Sequence, residues 1–554
     1  MSQEWLPIGD ISPTPELMDI ITFDSSVSVL AGAGTGKTEL LAQKASYLLE
    51  TNKCIWPKKI LCLSFKTEAQ ANIRDRVIKR CAFKSERFNS YTFHAFSKSI
   101  VDRFKNVLPE KIRPKDNYDL VLRGNESNGS DKIFMGTLIK LATNILKDRI
   151  DICDLFSMTY SHVFIDEFQD TTNDQYELLK LLFKNKGTKL LAVGDINQSI
   201  MLWADARITV FEDFRSDFSA PQKLLLHNYR ANDEIQAVLK TFLNFVENSH
   251  PIQPTAKVIE NCKIHHFENE NAEANYLAEY IGTLLNEGIK ENEICVLTKQ
   301  QSTAYTEILR GRLTAKGIRN LDMTDLQDIL KEPLGVIYSL LFKLFIFKNP
   351  KCYTELCDNY LMLHKVARGE EKEDSLVREL SNYISLTKAS LSENPSADQI
   401  ITALKESIQF FGVDKIKARW GQYKSQDYFK RVWNLLGLHL RKTIDATDSL
   451  IDAALMFNAE NSVQLMNIHK CKGLQYKVVI FMGLEDQAFW NYSEDNFEDK
   501  CALYVAFSRA KEKIFITISS CRDHRGTRNR DTSFYRLEKV FDVLLNKCNF
   551  QSNW

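Results

Sequence analysis

The stretch "VLAGAGTGKTELL", Val29 to Leu41, constrains this chain more than any other. Ser26 to Leu30 are small or apolar and read as a short buried strand. A small-residue turn follows, and a helix begins near Lys37. A strand, glycine turn and helix in that order aim backbone N–H groups and a helix N-terminus at one spot, which suits a polyphosphate. Ala31, Gly32, Ala33, Gly34, Thr35 and Gly36 would wrap it, with Gly34 and Gly36 leaving room for close backbone approach. Lys37 is placed for the β- and γ-phosphates and Thr38 for a Mg²⁺ ion, although the loop alone does not name the nucleotide. Ala31 stands where such loops open on glycine. That position needs no phosphate contact, so a methyl group is accommodated.

Further carboxylates and cations complete a phosphoryl-transfer set. In "HVFIDEFQD" an apolar strand, Val163 to Ile165, ends in Asp166 and Glu167. Adjacent acids are ordinary surface residues when alone. Downstream of the loop, Asp166 is a candidate Mg²⁺ holder and Glu167 a candidate to position or deprotonate the attacking water. "LLAVGDINQSIMLWADA" ends a strand at Asp195 and puts Gln198 in the turn, where it can sense a γ-phosphate; Trp203 is a candidate to stack on a base. "HNYRAND" puts Arg230 after a strand, and "ALYVAFSRAKEK" puts Arg509 on a helix. Two arginines from distant parts of the chain suit a site closed between two cores, where they stabilise charge on the transferring phosphoryl group.

A chain of 554 residues exceeds one core. Two blocks alternate strands with helices, which predicts parallel sheets. The first holds "KILCLSF", "HVFIDE", "KLLAVGD" and "KLLLH"; the second holds "EICVLT", "VQLMNIH", "VVIFMG" and "KIFITIS". Each is interrupted, the first over about Phe96 to Tyr160, helical with a turn-rich "RGNESNGSD", the second over about Lys348 to Asn461, almost wholly helical. The charge balance, 72 Lys plus Arg against 72 Asp plus Glu, limits nucleic-acid contact to a local groove. Twelve scattered cysteines without a C-x-x-C pair predict reduced thiols and no zinc or iron–sulfur site. The apolar run Val336–Phe347 is short and contains Lys343, so it predicts a buried helix rather than a membrane span. With no signal-peptide pattern in "MSQEWLPIGD", the expectation is a cytoplasmic protein with no membrane partner.

The order of motifs resembles a family. "AGAGTGKT", "LSFKTEAQANIRDRV", "YTFHAFS", "DEFQD", "VGDINQSIMLWADA", "LHNYR", "VQLMNIHKCKGLQYKVVIFMG" and "LYVAFSRAKEKIFIT" follow one another as in superfamily-one DNA helicases of the UvrD/Rep/PcrA type, over nearly the whole chain. The resemblance implies an α/β fold with two RecA-like P-loop NTPase domains on parallel sheets, each carrying a helical insertion. The first would span 1–95 and 161–250 with its insertion at 96–160. The second would span 251–347 and 462–554 with a reduced insertion at 348–461. Lys37, Thr38, Asp166, Glu167, Gln198, Arg230 and Arg509 match the ATPase positions. Tyr229 matches a residue that packs on adenine. Phe65, Thr92, His94, Trp203 and His469 match the single-strand groove, and Lys472 and Gly473 a turn coupling the two. The implied activity is ATP-dependent 3′→5′ movement on single-stranded DNA or 3′-tailed duplex DNA. The alternative is an ATP-sensing subunit partnered with a nuclease, as in an antiviral defence assembly.

Four departures from that pattern stand out. Glu16 or Leu17 stands in place of the glutamine that reads adenine, which puts strict adenine selectivity in doubt. Met201 replaces an aromatic residue, and Ala204 and Asp205 replace Arg-Gly. In "GLQY", Gln475 replaces a glutamate expected near the ribose, keeping hydrogen bonding without charge. Of the basic segments, Lys415–Trp433 reads as a helix with a buried face rather than a DNA contact, while the arginines of Arg522–Asp531 suit DNA phosphates or a solvated loop equally.

Overall fold

The computed structural model describes residues 5–9, 13–65, 67–116, 118–121, 124–201, 205–225, 227–248, 251–366, 369–523 and 532–553. The chain folds as two compact units. The first is Met1–Asn261 with Asn491–Glu512 and Glu538–Gln551; the second is Cys262–Trp490 with Lys513–Leu537 and Ser552–Trp554.

In chain order the strands of the first unit are β1 (Val27–Ala31), β2 (Lys59–Ser64), β3 (Phe88–Thr92), β4 (Asp119–Val121), β5 (Lys132–Phe134), β6 (Tyr160–Ile165), β7 (Lys189–Gly194) and β8 (Gln222–Leu225). Six of them form one sheet in the order β3-β2-β6-β7-β1-β8, and every pairing is parallel. Helices cover both faces, so strand residues are buried alternately in two cores. Ile60 and Cys62 of β2 join Val27, Val29 and Phe164 on one face; Leu61 and Leu63 join Val163, Ile165 and Phe96 on the other. This two-sided burial explains why the strands read as near-continuous apolar runs. The first interruption holds the helices Phe93–Phe104, Leu138–Asp148 and Ile150–Thr159, and also the small β4–β5 sheet flanking the turn-rich segment.

The parallel arrangement brings all carboxyl strand ends to one edge. The phosphate-loop turn follows β1, Phe65 follows β2, Thr92 ends β3, Asp166 follows β6 and Asp195 follows β7. Residues far apart in sequence thus meet at the edge where open α/β sheets bind ligands.

The second unit has β9 (Cys262–Phe267), β10 (Ile294–Thr298), β11 (Asn320–Asp322), β12 (Val463–Asn467), β13 (Tyr476–Phe481), β14 (Ala510–Ser519) and β15 (Gln551–Asn553), in the order β11-β12-β10-β13-β14-β9-β15. Between β11 and β12 lies a helical body. Its core packs Tyr338 and Phe342 of the helix Pro333–Ile346 against Phe457, with Leu404, Leu436 and Leu440 around them. Lys415–Trp433 is not one helix: Val413–Arg419, a 3₁₀ turn at Gly421–Lys424 and the start of Gln426–Asp445 divide it. Its aromatic face is nonetheless turned inward. Tyr423 is buried and donates to Glu332 at 2.8 Å, and Trp433 packs edge-on against Tyr338. Among the described residues all twelve cysteines are free, no three or more His, Cys, Asp or Glu side chains gather as a metal site, and no helix is long and apolar enough to cross a membrane.

A buried ion cluster braces this unit. Arg522 bridges Glu273 at 2.7 Å and Glu485 at 2.8 Å, with all three side chains 0% exposed, and lies over the Tyr305 ring. Removing one partner strands buried charge. Arg522→Ala is therefore expected to lower unfolding stability by about 3–5 kcal/mol in denaturant titration. Lys316→Ala, at the exposed pair with Glu279, is expected to leave the midpoint unchanged.

Candidate functional site

The turn after β1 has the geometry its sequence predicts. Gly34 and Gly36 adopt φ of +73° and +85°, values that favour glycine, and the helix Lys37–Glu50 follows directly. The helices starting after Thr14, Thr92, Thr172 and Asn232 each have a side-chain cap, whereas the cap residue here is Gly36, which provides none. A helix start without a side-chain cap, facing a glycine turn, fits a phosphate group. Lys37 lies within the turn, its Nζ donating to the carbonyls of Ala31 and Gly32 at 3.2 and 3.4 Å. Thr38 occupies the second position of the helix.

The loop Asn228–Ala231 is locked onto this turn. The Tyr229 N–H donates to the Gly34 carbonyl at 3.1 Å. Asn228 Oδ1 accepts from the Arg230 and Ala231 N–H groups at 2.8 and 3.2 Å. A Cβ on Gly34 would meet that same Oδ1 at 2.3 Å and Arg230 Cβ at 2.9 Å, so glycine is needed here for space as well as for φ. Asn228 was not singled out in the sequence, although it lies inside "HNYR". Its signal is its type: an asparagine one residue before a turn caps backbone N–H groups.

Asp166 is buried, its N–H donating to the Leu63 carbonyl at 3.0 Å, while its Oδ1 accepts from the Glu167 N–H at 3.0 Å. Its hard carboxylate oxygens fit Mg²⁺. Glu167 has φ +49°, a strained conformation for a residue with a Cβ. Beside it, Gln198 accepts at Oε1 from Arg509 Nη2 at 2.9 Å, and its Nε2 donates to Asp195 at 2.7 Å. Burial raises the Asp195 carboxyl above the ordinary range, although Lys37 opposes the shift. Arg230 donates to the Ser508 carbonyl at 3.3 Å, and burial together with the nearby Arg509 lowers its guanidinium to about 10. The helix Phe497–Phe507, just before Arg509, packs within the first unit, where Phe507 meets Phe242 at 5.2 Å. Both arginines therefore reach the phosphate loop's surroundings inside one compact unit.

The remaining sites are dispersed. Phe65 and Thr92 lie at neighbouring strand ends, where Ser64 pairs with Thr92. The Thr92 hydroxyl caps the next helix by accepting from the Ala95 N–H at 3.2 Å. His94 is half-buried, and burial holds its imidazole below the usual value. Tyr229 is exposed and packs edge-on against His227. Leu17 is buried in the first core, so it presents no polar edge, and Glu16 is exposed. His469, in the short helix Ile468–Cys471 after β12, and the exposed Gln475 belong to the second unit, as do the buried Lys472 and Gly473 with φ +90°. Trp203 and Ala204 lie outside the described residues, as does 524–531 of the arginine-rich segment.

Two family profiles match this chain. The UvrD/REP helicase N-terminal domain matches 15–120 and 125–219, and the UvrD-like helicase C-terminal domain matches 224–327 and 364–521. The chain belongs to the UvrD-like helicase family. It is similar to a probable DNA helicase II homolog of Mycoplasma capricolum subsp. capricolum, at 23% identity over 98% of this chain and 90% of the relative. It is also similar to the ATP-dependent DNA helicases PcrA of Staphylococcus aureus (23%) and Bacillus subtilis (24%), each over 95% of this chain and 85% of the relative. As a UvrD-like helicase the protein is an ATP-hydrolysing enzyme with DNA as its substrate class.

Two substitutions test the loop. Lys37→Ala is expected to abolish ATP hydrolysis while the far-ultraviolet spectrum stays unchanged. Asn228→Ala, which releases the segment carrying Arg230, is expected to lower turnover by about tenfold or more. Wild-type turnover in either purified variant contradicts the assignment.

Proposed function

We propose that the protein moves along single-stranded DNA in the 3′→5′ direction and unwinds 3′-tailed duplexes, driven by ATP with Mg²⁺ in the cytoplasm. The observation that supports this most is the convergence of Lys37, Asp166, Glu167, Gln198, Arg230 and Arg509 around one phosphate-binding turn. In this reading Lys37 holds the β- and γ-phosphates, and Thr38 with Asp166 holds the metal. Glu167 accepts the proton of the attacking water. Arg230 and Arg509 offset the charge that develops on the phosphoryl oxygens. Gln198, bonded to Arg509, reports whether the γ-phosphate is present. The wrapping residues Ala31–Gly36, with Tyr229 and Gln475, complete the nucleotide site.

The strand is read here as lying across Phe65, Thr92, His94, Trp203 and His469. Its aromatic members stack on bases without regard to sequence, each worth ~1–3 kcal/mol. The zero net charge fits a contact confined to such a groove. The proposed division is two RecA-like domains, each with a helical insertion, and nucleotide-driven closure between them would alternate grip on the strand.

Glu167→Gln separates the roles of the two acids. The variant is expected to bind ATP with wild-type affinity and to lose turnover, because an amide cannot accept the proton. Polarity is read by displacement of streptavidin from oligonucleotides biotinylated at either end. Displacement from the 5′ end alone supports 3′→5′ movement, and displacement from the 3′ end alone contradicts it.

A further inference from the structure

Gln169 has no role in the site described so far, yet it is buried against it, with 2% of its surface exposed. It sits in the 3₁₀ turn Phe168–Asp170, two residues after Glu167. Its amide Oε1 accepts from the Asp195 backbone N–H at 2.9 Å, and its Nε2 donates to Glu167 Oε2 at 2.6 Å. The orientation of this amide is dictated by chemistry. A backbone N–H only donates, so the oxygen must face Asp195 and the NH₂ must face Glu167. Beyond Asp195 the hydrogen bonds continue. The Asp195 carboxylate accepts from Gln198 Nε2 at 2.7 Å, and Gln198 accepts from Arg509 at 2.9 Å. One hydrogen-bonded path therefore joins Glu167 to Arg509, through Gln169, the Asp195 residue and Gln198.

Gly194 provides an independent sign that Gln169 is held closely. A Cβ there would meet Gln169 Oε1 at 2.3 Å and the Phe168 N–H nitrogen at 3.0 Å. Phe211 Cζ would stand at 3.0 Å as well, so the strand end has no room for a methyl group beside the amide.

We infer that Gln169 is a positioning residue for ATP hydrolysis: it fixes the Glu167 carboxylate and ties its placement to the Asp195–Gln198 turn that engages Arg509. The inference rests on Glu167 acting as the base. By donating to Glu167 Oε2 at 2.6 Å, the amide restrains a side chain whose backbone is strained at φ +49°.

Gln169→Glu tests this selectively. The new carboxylate still accepts from the Asp195 N–H, so that backbone contact survives. Its second oxygen, however, faces Glu167 Oε2 where an N–H donor stood. The two oxygens can share no hydrogen there, so Glu167 loses its restraint and kcat is expected to fall about tenfold. ATP affinity is expected to stay within about threefold of wild type, since no phosphate contact is altered. Gly194→Ala, which pushes on the amide without changing any charge, is expected to lower kcat with the same sparing of ATP affinity.

Glu167→Gln is measured alongside. If Glu167→Gln loses turnover while Gln169→Glu and Gly194→Ala keep wild-type kcat, Gln169 is only a structural filler and the inference is overturned. If Glu167→Gln itself keeps turnover, the role of Glu167 fails and the inference falls with it. A lowered kcat with spared ATP affinity in Gln169→Glu, or the same isolated kcat defect in Gly194→Ala should Gln169→Glu not fold, supports the inference.

Discussion

The interlock between Gly34 and Asn228 is the constraint on which the rest of the site depends. The glycine turn after β1 and the Asn228–Ala231 loop approach so closely that a single methyl on Gly34 would overlap the Asn228 side chain. That contact is held by the Tyr229 N–H on the Gly34 carbonyl and by Asn228 capping the next two N–H groups. Through it, the placement of Arg230 follows from the placement of the turn. The Asn228 side-chain carbonyl, only partly buried, is shared by two backbone donors, which fixes the loop's conformation locally.

A second level of order comes from the sheet. Because all six strands of the first sheet run parallel, their carboxyl ends form one edge, and Asp166, Asp195 and the phosphate turn arrive there together. Hydrogen bonding across this edge then links groups with separate chemical roles. Asp166 receives the Glu167 N–H, Gln169 spans Glu167 and Asp195, and Gln198 spans Asp195 and Arg509. Groups joined in this way are placed relative to one another by hydrogen bonds as well as by the strands that carry them.

Much of this was legible in the sequence where the chemistry demands particular residue types at fixed spacing. The glycines with positive φ, the lysine at the helix start and the acid pair after an apolar strand all lie where their spacing placed them. The eight strand candidates of the two blocks correspond to strands, most of them apolar throughout because both faces are buried; β8, at the sheet edge with Leu224 exposed, is the exception. β3 ("FNSYT") and β9 ("CKIHHF") were not legible as strands, being polar segments near sheet edges with partial burial. Gln169 and Asn228 escaped notice because their work is done on backbone groups, which leave no spacing pattern. The helix before Arg509 is assigned by long-range packing to the first unit, and no local pattern carries that information.

The claim that ties these features together is that nucleotide chemistry at this turn is coupled to a DNA strand. The direct measurement is the ATP hydrolysis rate of the purified protein as single-stranded DNA is titrated at fixed ionic strength, since salt alone shifts such affinities. A low basal rate that rises severalfold and saturates with DNA is the predicted result. A rate that is substantial without DNA and unchanged at saturating DNA would contradict it.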